Sequence, residues 1–99
     1  MNTTPRTTNE VLRKTKAAAK IVEHAEHTGL PIPYSVEAND LAAISLGFDT
    51  LAALTEWALW MESPVKEQPS EFGVSHHASG TALEEPIRVW TFTPKAALA

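Results

Sequence analysis

The four histidines are the side chains best placed for chemistry in this sequence: His24, His27, His76 and His77. His24 and His27 lie three positions apart, which on a helix is one turn, and that spacing can hold zinc or copper where further ligands converge. His76 and His77 could supply those ligands, but neighbours on a strand point to opposite faces, so only one of them could join. Lys20 falls on the same helical side as His24 and would repel a cation. The expectation is therefore a solvent-facing pair at 24 and 27, a partly buried, hydrogen-bonded His76, and no metal site.

Other catalytic chemistry has less support. The chain has no Cys, which excludes disulfides, thiolate zinc sites and cysteine nucleophiles. It contains no Gly-x-Ser-x-Gly elbow, no phosphate-cradling glycine loop and no His-Glu-x-x-His. The glycines, at 29, 47, 73 and 80, are each explained by a turn or a strand. Glu84 and Glu85 are adjacent and do not make an acid/base pair across a cleft. The sequence reads as a non-enzyme that needs no cofactor.

Charge is more informative. Residues 1–20 hold five bases against one acid, a balance of +4, and the remaining residues hold three bases against eleven acids, a balance of −8. At 100° per residue, Arg13, Lys16, Lys20, His24 and His27 share one side of the first helix, a cationic stripe suited to an anionic partner. A solvated face that keeps a small domain soluble would have the same composition.

The elements that position these groups follow from periodicity. Residues 1–8 read as a disordered tail, 9–93 as one α+β domain, and 94–99 as a loose C-terminal tail. Thr8 or Asn9 can cap a helix that runs to about His27 and stops at Thr28-Gly29, with Val11, Ala18, Ile21, Val22 and Ala25 inward. From Tyr34 the period changes to two. Tyr34, Val36 and Ala38 form one row, and Ala42, Ile44, Leu46 and Phe48 another. A three-residue loop, 39–41, lets the two rows share a face by pairing Val36 with Ile44. Asp49 or Thr50 caps a second helix, 50–62, with Leu51, Leu54, Trp57, Ala58 and Met61 inward. Residues 63–70 read as a loop. Strands at about 71–79 and 81–93 follow, joined at Ser79-Gly80, with a bulge or edge at Glu84-Glu85-Pro86. The order α-β-β-α-β-β implies a four-stranded antiparallel sheet with both helices packed on one face.

Two stretches, Phe48-Asp49-Thr50-Leu51-Ala52-Ala53-Leu54-Thr55-Glu56-Trp57-Ala58 and Glu85-Pro86-Ile87-Arg88-Val89-Trp90-Thr91, resemble small uncharacterised proteins of actinomycetes and their phages. The resemblance spans residues 33–93 and implies a strand, a Trp-bearing helix and a closing hairpin. It also implies a phage or mobile-element origin. It brings no activity with it.

Two functional readings remain. Residues 40–60 can be read as a helix-turn-helix, with Leu41–Leu46 as first helix, Gly47 as turn and 50–60 as recognition helix, giving a winged DNA-binding regulator. Against this, residues 49–62 carry Asp49, Glu56 and Glu62 and no Lys or Arg, whereas a helix in the major groove faces phosphates. If nucleic acid is bound, the basic first helix is the better contact. The other reading starts from aromatic excess. Leu59, Trp60, Trp90 and Phe92 fall outside the simplest core and form a surface for another protein or for a second copy of the chain. The absence of a long apolar run argues against a membrane, and a cytoplasmic protein-interaction module is the expected class.

Overall fold

The computed structural model describes residues 6–38 and 43–98. Along the chain these form α1 (Arg6–Thr28), β1 (Ser35–Glu37), β2 (Ile44–Gly47), α2 (Leu51–Met61), β3 (Lys66–Ser70), β4 (Gly73–Ala82), β5 (Glu85–Pro94) and one helical turn, α3 (Lys95–Leu98). The chain is α+β, as its periodicity predicts. The regular structure extends past 9–93 at both ends, and the Lys95 backbone N–H donates to the Phe72 carbonyl at 2.9 Å.

The sheet corrects the four-stranded antiparallel expectation. It has five strands in the order β1-β2-β5-β4-β3. β2 and β5 pair in parallel, and the other pairs are antiparallel. The cause is β3, the segment KEQPS, which composition reads as a loop. All five of its residues are exposed, so no apolar alternation betrays a strand, and its place at the sheet edge tolerates Pro69. With β3 outermost beside β4, β5 is the strand left to close against β2. The α2 crossover sets β3 running as β2 does, and two reversals later β5 arrives in that same direction.

Register is also corrected in detail. Val36 pairs with Leu46, not Ile44, and Ser35 pairs with Gly47. The shift is by two residues, so the parity that puts both apolar rows on one face survives. The expected loop at 39–41 lies outside the described residues. The hairpin between β4 and β5 turns at Leu83-Glu84, with φ of 51° and 68°, not at Ser79-Gly80. Gly80 lies inside β4, where a Cβ would press on Met61 and Ser63 of the α2 C-terminus. Glu85 and Pro86, expected as a bulge, open β5 in regular register with Ala82 and Thr81. Phe72 belongs to the β3–β4 turn, not to a strand.

Both helices cover the sheet face formed by Ile44, Leu46, Ala78, Ala82, Ile87 and Val89. α1 buries Lys14, Ala18, Ile21 and Ala25, a 4-3-4 spacing that is one line along a helix, with Val11 and Val22 half-buried beside it. It ends at Gly29, φ 80°, where the Leu30 N–H donates back to the Ala25 carbonyl at 3.0 Å. α2 buries Leu54, Trp57 and Ala58. Leu51, expected inward, is instead exposed in the first turn of α2, and burial begins at Leu54. The indole N–H of Trp57 donates to the Pro31 carbonyl at 2.7 Å, tying the helix to the segment between α1 and β1. Thr50 caps α2, its hydroxyl accepting from the Ala53 N–H at 3.1 Å. Replacing Thr50 by Ala should cost about 1 kcal/mol of stability in a denaturant melt.

Candidate functional site

The sheet separates the residues that sequence reasoning groups as one surface. Leu59 and Trp60 lie on α2, on the helical side of the molecule. Trp90 and Phe92 alternate with the buried Ile87 and Val89 along β5, so they project from the opposite, uncovered side of the sheet.

On the helical side, Leu59 is 74% exposed and Trp60 39% exposed. Trp60 is nevertheless held firmly. Its ring meets the buried Trp57 edge-on at 5.6 Å between centroids, and the His24 ring of α1 tilts against it at 5.4 Å. α1 therefore supplies part of the cover that an almost wholly apolar helix requires, and Leu59 with the free part of Trp60 remains bare at its C-terminal end, as Leu51 does in its first turn. Such an indole has its rotamer fixed before any partner arrives.

The cationic stripe divides. Arg13 donates to Glu85 at 2.6 Å and to Glu10 at 3.4 Å, linking α1 to the start of β5. The hydrogen bond to Glu85, more than that to Glu10, raises the guanidinium pKa above its ordinary value. Lys16 and Lys20 line, with Arg13, Ala17, Leu83 and Glu85, a crevice of about 330 Å³ between α1 and the β4–β5 turn. His24 turns away from this crevice onto Trp60, and His27 Nδ1 lies 2.9 Å from the Glu23 carbonyl oxygen.

The uncovered sheet face can be read row by row from the register. One row runs Glu37, Ser45, Arg88, Ser79, and the next Ser35, Gly47, Trp90, His77, Lys66. Phe92, Ser75 and Gln68 follow. Gly47 is required here, since its missing Cβ leaves the space that the six-membered ring of Trp90 fills, within 2.6 Å of where that atom would stand. Tyr34 meets the Trp90 ring edge-on at 5.9 Å. A hollow of about 260 Å³ opens beside it, lined by Glu37, Ser45, Ser75, His77, Arg88 and Trp90. In a body rich in acids, Glu37 is the one acid in these rows. Of this set, sequence reasoning selects only Trp90 and Phe92. Arg88 shares their alternation and was within reach, whereas Glu37, Ser45 and His77 join only through pairings that span the chain.

The histidines do not assemble. His76 Nε2 stands 3.7 Å from Glu67, and its buried Nδ1 has no hydrogen-bond partner among the described residues. Among those residues no group of three or more His, Asp or Glu side chains could hold a metal ion. Ile44–Gly47 is a strand paired on both sides, so the first helix of the proposed helix-turn-helix does not form over those residues. No helix of the described residues is long and apolar enough to cross a membrane. Comparison with known proteins finds no family model, no curated protein and no solved structure that matches this chain.

Proposed function

We propose that the protein is a small non-enzymatic interaction module that docks on another protein through the outer side of α2. The observation that carries the reading is the bare Leu59 beside a Trp60 fixed between Trp57 and His24. A large aromatic with little rotamer freedom to lose, flanked by an aliphatic side chain, has the character of an interface hot spot. The resemblance to phage-associated proteins extends the proposal to a regulator or inhibitor that acts by binding a host protein in the cytoplasm. Lys16 and Lys20 support a second reading, in which the α1 crevice receives an anionic partner and nucleic acid is the main candidate.

Affinity capture from host lysate, with and without nuclease, tests both. On the first reading a captured protein survives nuclease and is lost with Leu59→Asp or Trp60→Ala. Trp60→Ala should remove about 2 kcal/mol or more of association energy while the Leu54, Trp57 and Ala58 face keeps the domain folded. Capture that disappears with nuclease, or only with Lys16→Glu and Lys20→Glu, would favour the second reading.

A further inference from the structure

We propose that the uncovered face of the sheet is a homodimer interface, on which a second copy of this chain packs sheet to sheet about a two-fold axis parallel to β2. Leu59 and Trp60 lie on the other side of the sheet and take no part in this contact.

Glu37 and Arg88 are exposed, occupy one row of the open face, and are separated by Ser45 alone. That spacing is two inter-strand steps, about 10 Å, too far for a direct ion pair between side chains standing on the sheet. Neither forms an ion pair among the described residues, although Arg13 forms two. A two-fold axis running above β2 exchanges β1 of one copy with β5 of the other and leaves the level along the strands unchanged. Glu37 then stands over the second copy's Arg88, Arg88 over its Glu37, and Ser45 over Ser45. One rotation satisfies both charges, as an isologous contact requires. Arg–carboxylate pairs of this kind are planar and directional enough to fix the rotation.

The next row fits the same operation. The ring of Trp90, the largest side chain on the face, lies over Gly47, so the rotation brings the two copies' indoles together at the axis. Two indoles meeting at the axis would withdraw a large apolar area from water. Tyr34, 63% exposed, and Phe92, 41% exposed, flank these rows and add to that apolar surface. Around the axis Ser35, Ser45 and Gly47 are small and tolerate a close sheet-to-sheet approach, while His77, Lys66 and Gln68 lie farther out on β4 and β3. Opposite charges placed symmetrically about a small central residue fit a second copy better than an unrelated chain, which has no need of that symmetry.

Charge reversal tests this cleanly, because both residues are exposed and neither supports the core. Sedimentation equilibrium of the wild type at high micromolar concentration should show a dimer. Glu37→Arg alone leaves like charges facing each other, and so does Arg88→Glu alone. Each should raise the dimer dissociation constant on the order of a hundredfold or more. Mixing the two variants should restore a one-to-one heterodimer, and the double variant Glu37→Arg/Arg88→Glu should dimerise again on its own. Circular dichroism melts establish that each variant is folded, and the restored pairings would show it independently. A wild type that stays monomeric throughout overturns the proposal, as do single reversals that leave the dimer intact, or single variants that fail to pair when mixed. Association abolished by Trp60→Ala but indifferent to both reversals would move the self-contact to α2 and equally overturn it.

Discussion

Trp57→Ala is expected to cost about 3–5 kcal/mol of folding stability, a large share of the roughly 5–15 kcal/mol available to a domain of this size. Trp57 is fully buried, packs against Phe48 at 5.9 Å between ring centroids, and supports Trp60 from below. Its removal leaves a void where α2 meets the sheet and orphans the Pro31 carbonyl that its indole N–H satisfies. Trp57→Phe separates the two effects. It keeps most of the volume and loses the hydrogen bond, so about 1–3 kcal/mol should be lost. Chemical denaturation of the two variants measures both. A Trp57→Ala loss below about 1 kcal/mol would mean that α2 does not seat on the sheet through this ring. Because Trp60 leans on Trp57, the variant should also disturb any docking on the α2 surface, which makes it unsuitable as an interface probe.

Gly73→Ala should be the most damaging of the small substitutions, at about 2–3 kcal/mol, from overpacking joined to an unfavourable backbone. Gly73 opens β4 with φ 154°, and a Cβ there would run into the Thr93 carbonyl oxygen and crowd Phe92 and Pro94. The obstacle is backbone of the paired strand β5, which cannot swing aside as a side chain can. Gly29 provides the contrast. It is left-handed at φ 80°, but nothing lies near the place of its Cβ. Gly29→Ala should therefore cost only the conformational preference, about 1–2 kcal/mol. Thermal melts of the pair distinguish steric obstruction from backbone preference, and equal losses would argue against the close approach of β4 to β5 at this end.

Periodicity in this sequence locates the two helices, the inward positions 54, 57, 58 and 61 of α2, and the parity that puts the β1 and β2 apolar rows on one face. It fails where a local signal has no unique structural cause. KEQPS has no apolar side to reveal because this edge strand buries none of its residues. The β4–β5 turn is missed because Leu83 and Glu84 adopt left-handed backbone without the Asn or Gly that usually marks it, while Gly80, which resembles a turn residue, is small in order to admit Met61. Lys14 joins the buried line of α1, though its type assigns it to water. The candidate surfaces follow the same rule. Leu59 and Trp60 are visible on a helical wheel, but the row Glu37-Ser45-Arg88 comes from three segments and exists only once β2 and β5 are neighbours.

That parallel pairing has a consequence for how the molecule comes to be folded. β5 occupies the middle of the sheet but is the last strand to be synthesised. Until it emerges, β1 and β2 form a short hairpin with one greasy side, and β3 with β4 a separate one, and neither hairpin has a stable partner in water. Ile44 must wait for Ile87, and Leu46 for Val89, across almost half the sequence. The final insertion joins two half-sheets in one step, so assembly should be late, governed by distant pairings and slow for a chain this short. A nascent chain stalled before residue 85 would display two unfinished edges, the state most open to mispairing and to chaperone capture.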